Sequence, residues 1–251
     1  MKLELCIPFE ENGFLSSDAK DFILPNCKEL YEFAHKINCW IYKLYTNKEL
    51  NINNEKKKYF LIFWVEMHKT YQSIIILTQR GLQEDAFTLL RRMYEMLFKV
   101  VAISKDSDNI YKIKQNELYE FSRLNKKLEN NEPGTEIFKQ KNINFKDALG
   151  GKKVSVADWA EMADMMDVYN CQYFILCDSS HVGYSSLNSS SKKNDEAIDV
   201  LSIPMFEHYN LIVTEAISIM FDLVEILIDK LKLKINKELF QNYKATLEKF
   251  C

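Results

Sequence analysis

Three features of the sequence predict an all-α fold. Glycine (6) and proline (4) are scarce in 251 residues, and chains built from many strands and tight turns need both for special backbone angles. Apolar residues recur at three- and four-residue spacing through most of the chain, as in helices with one buried face. No run stands out with the strict alternation of a half-buried strand, and no repeat period is visible. With 47% hydrophobic residues there is ample material for a core. The expectation is one all-helical domain over residues 1–251, a bundle of about seven or eight helices.

The first helix is predicted over "NCKELYEFAHKINCWIYKLY", where Leu30, Ala34, Ile37, Ile41 and Leu44 keep the helical rhythm. The second runs from near Glu55 to near Thr78, with Gly81 ending or bending it. The third, "EDAFTLLRRMYEMLFKVVAIS", has Glu84 and Asp85 in its first turn, where the helix dipole favours acids. The fourth, "DNIYKIKQNELYEFSRLNKKLEN", is more polar and is broken by "NNEPGTE". Residues from about 130 to 153 read as the loosest part of the chain.

Helical pattern returns in "VSVADWAEMADMMDVYNCQYFILCDSSH", read as two helices meeting near Tyr169. Residues of about 183–195 form a serine-rich loop by composition. Pro204 sits just before a long apolar helix, "MFEHYNLIVTEAISIMFDLVEILIDKL". A short helix, "NKELFQNYKATLEKF", closes the order.

The net charge of −3 gives no basic footprint for non-specific nucleic-acid binding, though a local patch remains open. The six cysteines include no C-x-x-C pair, and the start "MKLELCIPFEENG" has no long apolar core. Reduced thiols in a cytoplasmic protein are the expectation. A membrane span is not expected either. The most apolar stretch, "YFLIFWVEMHKTYQSIIIL", contains Glu66, His68 and Lys69.

Metal motifs fail on spacing, so no metal and no cofactor are expected. H-E-x-x-H does not occur, and E-x-x-H occurs once, at Glu32 to His35, where a di-iron bundle needs two. Asp158, Glu161, Asp164 and Asp167 stand three apart, a spacing that drifts around a helix, and they read as a solvated acidic surface. The stretch "ALGGKK" lacks the spacing of a phosphate-binding loop.

Two places attract functional interest. On the third helix, Glu84, Thr88, Arg91 and Glu95 fall in one narrow stripe at about 100° per residue. Arg91 and Glu95 are four apart and can pair. The stripe is either a solvated face or a polar seam that offers Arg91 to an anion. The chain has only four arginines, Arg80, Arg91, Arg92 and Arg123, so one that survives hints at bidentate recognition. Further on, Tyr169, Tyr173, Cys177 and His181 step by four. His181 is either a helix C-cap or a general acid/base with a near-neutral pKa. His35, His68 and His208 are read as structural.

The combination of "GLQEDAFTLLRRMYEM" with "YFILCDSSH" far downstream resembles an uncharacterised all-helical bacterial family, a domain of unknown function. The resemblance covers about residues 60 to 190. It implies an arginine–glutamate helix facing a late Tyr-x-x-x-Ser-x-x-x-His segment. The matching positions are Glu84, Asp85, Arg91 and Glu95, then Trp159, Tyr173, Cys177 and His181, with cysteine where serine is more usual. More distantly the layout is similar to HEPN-type helical proteins, many of which are metal-independent ribonucleases of toxin–antitoxin and antiphage systems. That class carries arginine and histidine within one helix. Here Arg91 and His181 must converge from separate elements.

What this resemblance implies is a ribonuclease or toxin-like effector of antiphage defence. His181, Arg91, Glu95 and Tyr173 would be its catalytic group, with Lys192, Lys193 and Glu84 toward an RNA substrate. A homodimer is implied by the same likeness. The other reading is a non-catalytic helical module that binds a protein partner or oligomerises.

Overall fold

The computed structural model describes residues 2–6, 17–46, 50, 52–128, 153–180, 191–193, 197–201 and 206–250. It is a helical bundle. In chain order the elements are β1 (Lys2–Cys6), α1 (Ser17–Tyr45), α2 (Glu55–Gln79), α3 (Gln83–Lys105) and α4 (Asn109–Leu128). These are followed by α5 (Val156–Met162), a single turn α6 (Met166–Val168), a π-helical turn (Tyr169–Tyr173) and α7 (Phe174–Ser180). The remainder is β2 (Ser191–Lys193), β3 (Ala197–Leu201), α8 (Phe206–Leu231) and α9 (Lys237–Leu247).

Helix α3 is the hub. It packs against α2, α8, α5 and α7, while α1 covers α2 and α8. Its sequence fits that place. Ala86, Phe87, Leu90, Met93, Tyr94, Leu97, Phe98 and Val100 are all buried, and a helix buried on most sides must be apolar on most sides. Fully enclosed Trp64 on α2, Trp159 on α5 and Tyr209 on α8 fill the space around it. Two tyrosine hydroxyls that enter this core are hydrogen-bonded, whereas the indole N–H groups of Trp64 and Trp159 are buried without a hydrogen-bond partner among the described residues. The Tyr71 hydroxyl donates to the Ala34 carbonyl at 2.8 Å, and the Tyr94 hydroxyl donates to Glu215 on α8.

Local chemistry sets the ends. Asn54 accepts from the Lys57 N–H at 2.9 Å and caps α2. Gly81 takes φ 84°, a left-handed conformation that a side chain would disfavour, and ends α2 sharply. Ser155 and Asp158 form a reciprocal capping box at the start of α5.

Several boundaries differ from the sequence reading. Helix α1 begins at Ser17, well before "NCKELY", because Pro25 is absorbed at a kink where Cys27 leaves helical angles. The break in the 154–181 region falls at Asp164, not Tyr169. Asp164 has φ 54°, and Tyr169 opens the π turn. Most of the segment 130–153 lies outside the described residues, which resume at Lys153.

The bundle also carries a three-stranded sheet, ordered β1-β3-β2, with β1 parallel to β3 and β2 antiparallel. Residues 191–193 are therefore strand, where composition suggested loop. Leu3 registers with Ile198 and Leu5 with Val200. The alternation in "KLELC" and "AIDVL" was a genuine signal, only five residues long and far apart in sequence.

Candidate active site

The site is assembled from α3 and the π turn. Arg91 and Glu95 lie one helical turn apart, with Arg91 Nη2 3.1 Å from Glu95 Oε1. Tyr173 reaches them from the other side. Its hydroxyl accepts from Arg91 Nε at 3.1 Å and donates to Glu95 Oε1 at 2.8 Å. The three groups close a triangle of hydrogen bonds. Each leg spans two of them, and Glu95 Oε1 accepts twice.

Why Tyr173 arrives there follows from the π turn. Between Tyr169 and Tyr173 the backbone takes one extra residue per turn, and the Phe174 N–H reaches back to the Tyr169 carbonyl. The Tyr169 and Tyr173 rings stack at 5.1 Å. Phe98 of α3 meets Tyr173 edge-on at 5.9 Å. The buried ring is thus fixed by aromatic packing. Its hydroxyl is carried to the rim, where Arg91 and Glu95 are 26% and 25% exposed.

The electrostatics bind the triangle together. The Arg91 guanidinium also lies over the Tyr173 ring, 5.5 Å from its centre. Burial disfavours the Arg91 charge, yet the Tyr173 hydrogen bond and Glu95 outweigh it and raise its pKa. Burial pushes the Tyr173 phenol upward; Arg91 opposes this and Glu95 reinforces it. The phenol therefore stays protonated through neutral pH. It acts as a fixed donor to Glu95, not as a base. Cys177, one turn further along α7, also lies against Tyr173 and is not in a disulfide.

Of the residues singled out from sequence, the structure unites Arg91, Glu95 and Tyr173. His181 follows directly on α7 and lies outside the described residues. Lys192 and Lys193 belong to strand β2 rather than a loop. They register with Asp199 and Ile198 of β3. Glu84 is exposed in the first turn of α3, seven residues and so about 10 Å before Arg91 along the axis. It makes no contact with the triangle among the described residues. Trp159 is buried in the core beneath α3.

The other sequence expectations have definite positions. His68 is buried and hydrogen-bonded to Tyr45 and Asn38, hence structural. His35 meets Gln79 at 3.0 Å on the surface, and His208 packs edge-on to Phe87. Asp158 serves the α5 cap, and Asp164 pairs with Lys105 at 2.6 Å. Among the described residues no group of three His, Cys, Asp or Glu side chains is placed to hold a metal ion. No described helix is long and apolar enough to cross a membrane.

One residue of this face was missed. Lys99 continues the row of Arg91 and Glu95 by another turn of α3. Step-of-four spacing was the signal that pointed to it, and the polar stripe was cut off one turn too early.

The chain also carries a recognisable family pattern. A family model described as a family of unknown function, DUF5677, matches residues 57–198. The chain belongs to that family. The matched segment runs from α2 to β3, so DUF5677 covers every member of the triangle. Helices α1, α8 and α9 lie outside the match, although α8 supplies much of the packing for α2 and α3. No curated protein and no solved structure matches the chain.

Proposed function

We propose that the chain is a metal-independent, HEPN-like ribonuclease working at the seam of α3 and α7. The observation that carries this reading is the Arg91–Glu95–Tyr173 triangle, formed across 78 to 82 residues of sequence at a rim where Arg91 and Glu95 are 26% and 25% exposed. The helix that starts after Tyr173 leads straight to His181.

The chemistry asks for a group to take the 2′-hydroxyl proton and a cation near the phosphate. His181 supplies the first, as an imidazole can exchange a proton near neutral pH. Arg91 supplies positive charge, held in one orientation by Glu95 and Tyr173. Lys192 and Lys193 steer the RNA backbone. Such an activity would suit a toxin-like effector of antiphage defence, acting in the cytoplasm and as a homodimer.

The test is to express wild type, Arg91→Ala and His181→Ala and to follow growth and RNA integrity, with helicity checked by circular dichroism. Loss of RNA with wild type only supports the reading. Intact RNA in all three, with and without phage challenge, removes it.

A second reading has its own support. Phe174 and Ile175 on α7 are 64% and 65% exposed, adjacent to the triangle. Exposed large apolar side chains side by side suit a contact surface. In this reading the triangle braces α7 for a protein partner or a second copy. Phe174→Ser with Ile175→Ser would then alter sedimentation or partner capture while leaving the fold intact.

A further inference from the structure

The cations around the triangle are almost all matched by acids. Arg91 has Glu95. Arg92 reaches toward Glu66 at 4.0 Å. Lys153, from the segment entering α5, meets Glu120 of α4 at 2.5 Å. Lys99 is the exception. It is half-buried, and among the described residues its ammonium has no hydrogen bond and no ion pair.

Position makes this significant. Lys99 stands on α3 one turn beyond Glu95 and two beyond Arg91, so the three share a face. The Glu95 charge favours the Lys99 ammonium, while Arg92 and Lys153 add positive charge around it. Glu95 Oε1 already accepts from Tyr173 and Arg91. Burial costs a lysine its hydration, and a burial of this kind is normally offset by a carboxylate or a hydrogen bond. Among the described residues the protein supplies Lys99 with no direct ion pair and no hydrogen bond, only the field of Glu95, which is already paired with Arg91 and Tyr173. An anion from outside would supply both.

We propose that Lys99 is the anion-receiving cation of the site, binding a phosphate group of the substrate beside the Arg91–Glu95–Tyr173 triangle. The naming of RNA as that substrate rests on the ribonuclease reading above; the phosphate site itself does not. Arg91, held by Glu95 and Tyr173, shapes the site, and Lys99 makes the contact. Burial lowers the Lys99 pKa, and Glu95 opposes that while Arg92 and Lys153 add to it. A bound phosphate reverses the sign of this environment.

The experiment uses the full chain and fluorescence anisotropy with a labelled single-stranded RNA, 2′-O-methylated so that it is not cleaved. Lys99→Ala and Lys99→Met are compared with Lys99→Arg; methionine keeps the aliphatic stem and guards against a packing artefact. The expected result is a loss of about tenfold or more in both neutral variants and substantial rescue by arginine. The slope of log affinity against log salt should flatten by about 0.7, one phosphate contact on a single strand. Wild-type binding by both neutral variants overturns the proposal. If the wild type does not bind RNA at all, titration with adenosine monophosphate and with inorganic phosphate follows. Lys99-dependent binding there keeps this proposal and discards the ribonuclease reading. Absence of binding to all three probes discards the phosphate site.

Discussion

The hydroxyl of Tyr173 donates to Glu95 Oε1 at 2.8 Å, joining residues 78 positions apart. That one oxygen also faces Arg91 Nη2 at 3.1 Å. Two donors on one carboxylate oxygen make Glu95 the hinge of the site. The bond sits at the rim but hangs on a ring that is itself in the core.

Tyr173→Phe should keep the aromatic packing with Phe98 and Tyr169 and lose only the hydroxyl. It strips Glu95 of a donor and Arg91 of an acceptor. Urea unfolding should show a loss of about 1.5–3 kcal/mol, the range for a hydrogen bond to a charged group. A change near zero would mean that water replaces the hydroxyl without cost.

A double-mutant cycle of Arg91→Ala and Glu95→Ala should give a coupling on the order of 1 kcal/mol, because the pair is largely shielded. The exposed pair Lys28–Glu32, at 3.8 Å with side chains 74% and 67% exposed, offers the contrast. Its coupling should be at most ~0.5 kcal/mol. Equal couplings would show that shielding does not strengthen the Arg91–Glu95 pair.

His68 sets an acid limit on stability. Its Nε2 donates to Asn38 Oδ1 at 2.8 Å and its Nδ1 accepts from Tyr45 at 2.9 Å, the neutral tautomer. Burial, partly opposed by Asn38, lowers its pKa from 6.5 to about 4. A depressed pKa stabilises the fold above 6.5, and this share is lost as pH falls from there through about 4. Asp222 works the other way. The residue is exposed overall, yet desolvation of its carboxyl, reinforced by Glu225 and Glu215 and opposed by Lys244, pushes it up to about 6. Its share is present below 3.8 and is lost as pH rises through about 6. The difference between wild type and His68→Gln isolates the histidine: the gap in stability should be largest near neutral pH and shrink on acidification. A gap that is constant from pH 7 to pH 4 would show that His68 is not buried as a neutral ring.

Ser155→Ala should cost about 1 kcal/mol by removing one side of the α5 capping box. The Asp158 N–H loses its 3.1 Å acceptor. Because α5 packs on α3, hydrogen exchange at the start of α5 should speed up first. An unchanged melting temperature would place the cap's contribution elsewhere.

The sequence by itself determined the helices and which faces they bury. Composition and three-to-four spacing located α2, α3 and α8 nearly to the residue, because such periodic burial is local and repeats over many turns. It also placed Arg91 and Glu95 in pairing distance, since one helix fixes that relation. It put Tyr173 and Cys177 on one row. What it did not carry was the short sheet: strands of three and five residues give too few alternations, and their pairing is between distant segments. Nor did it carry the meeting of Tyr173 with Arg91. That depends on how α7 lies on α3 and on a π turn whose extra residue no local pattern announces. The isolation of Lys99 is tertiary for the same reason. A lysine on a stripe looks solvated until the fold shows that, among the described residues, Arg91, Arg92 and Lys153 each have an ion pair and Lys99 has none.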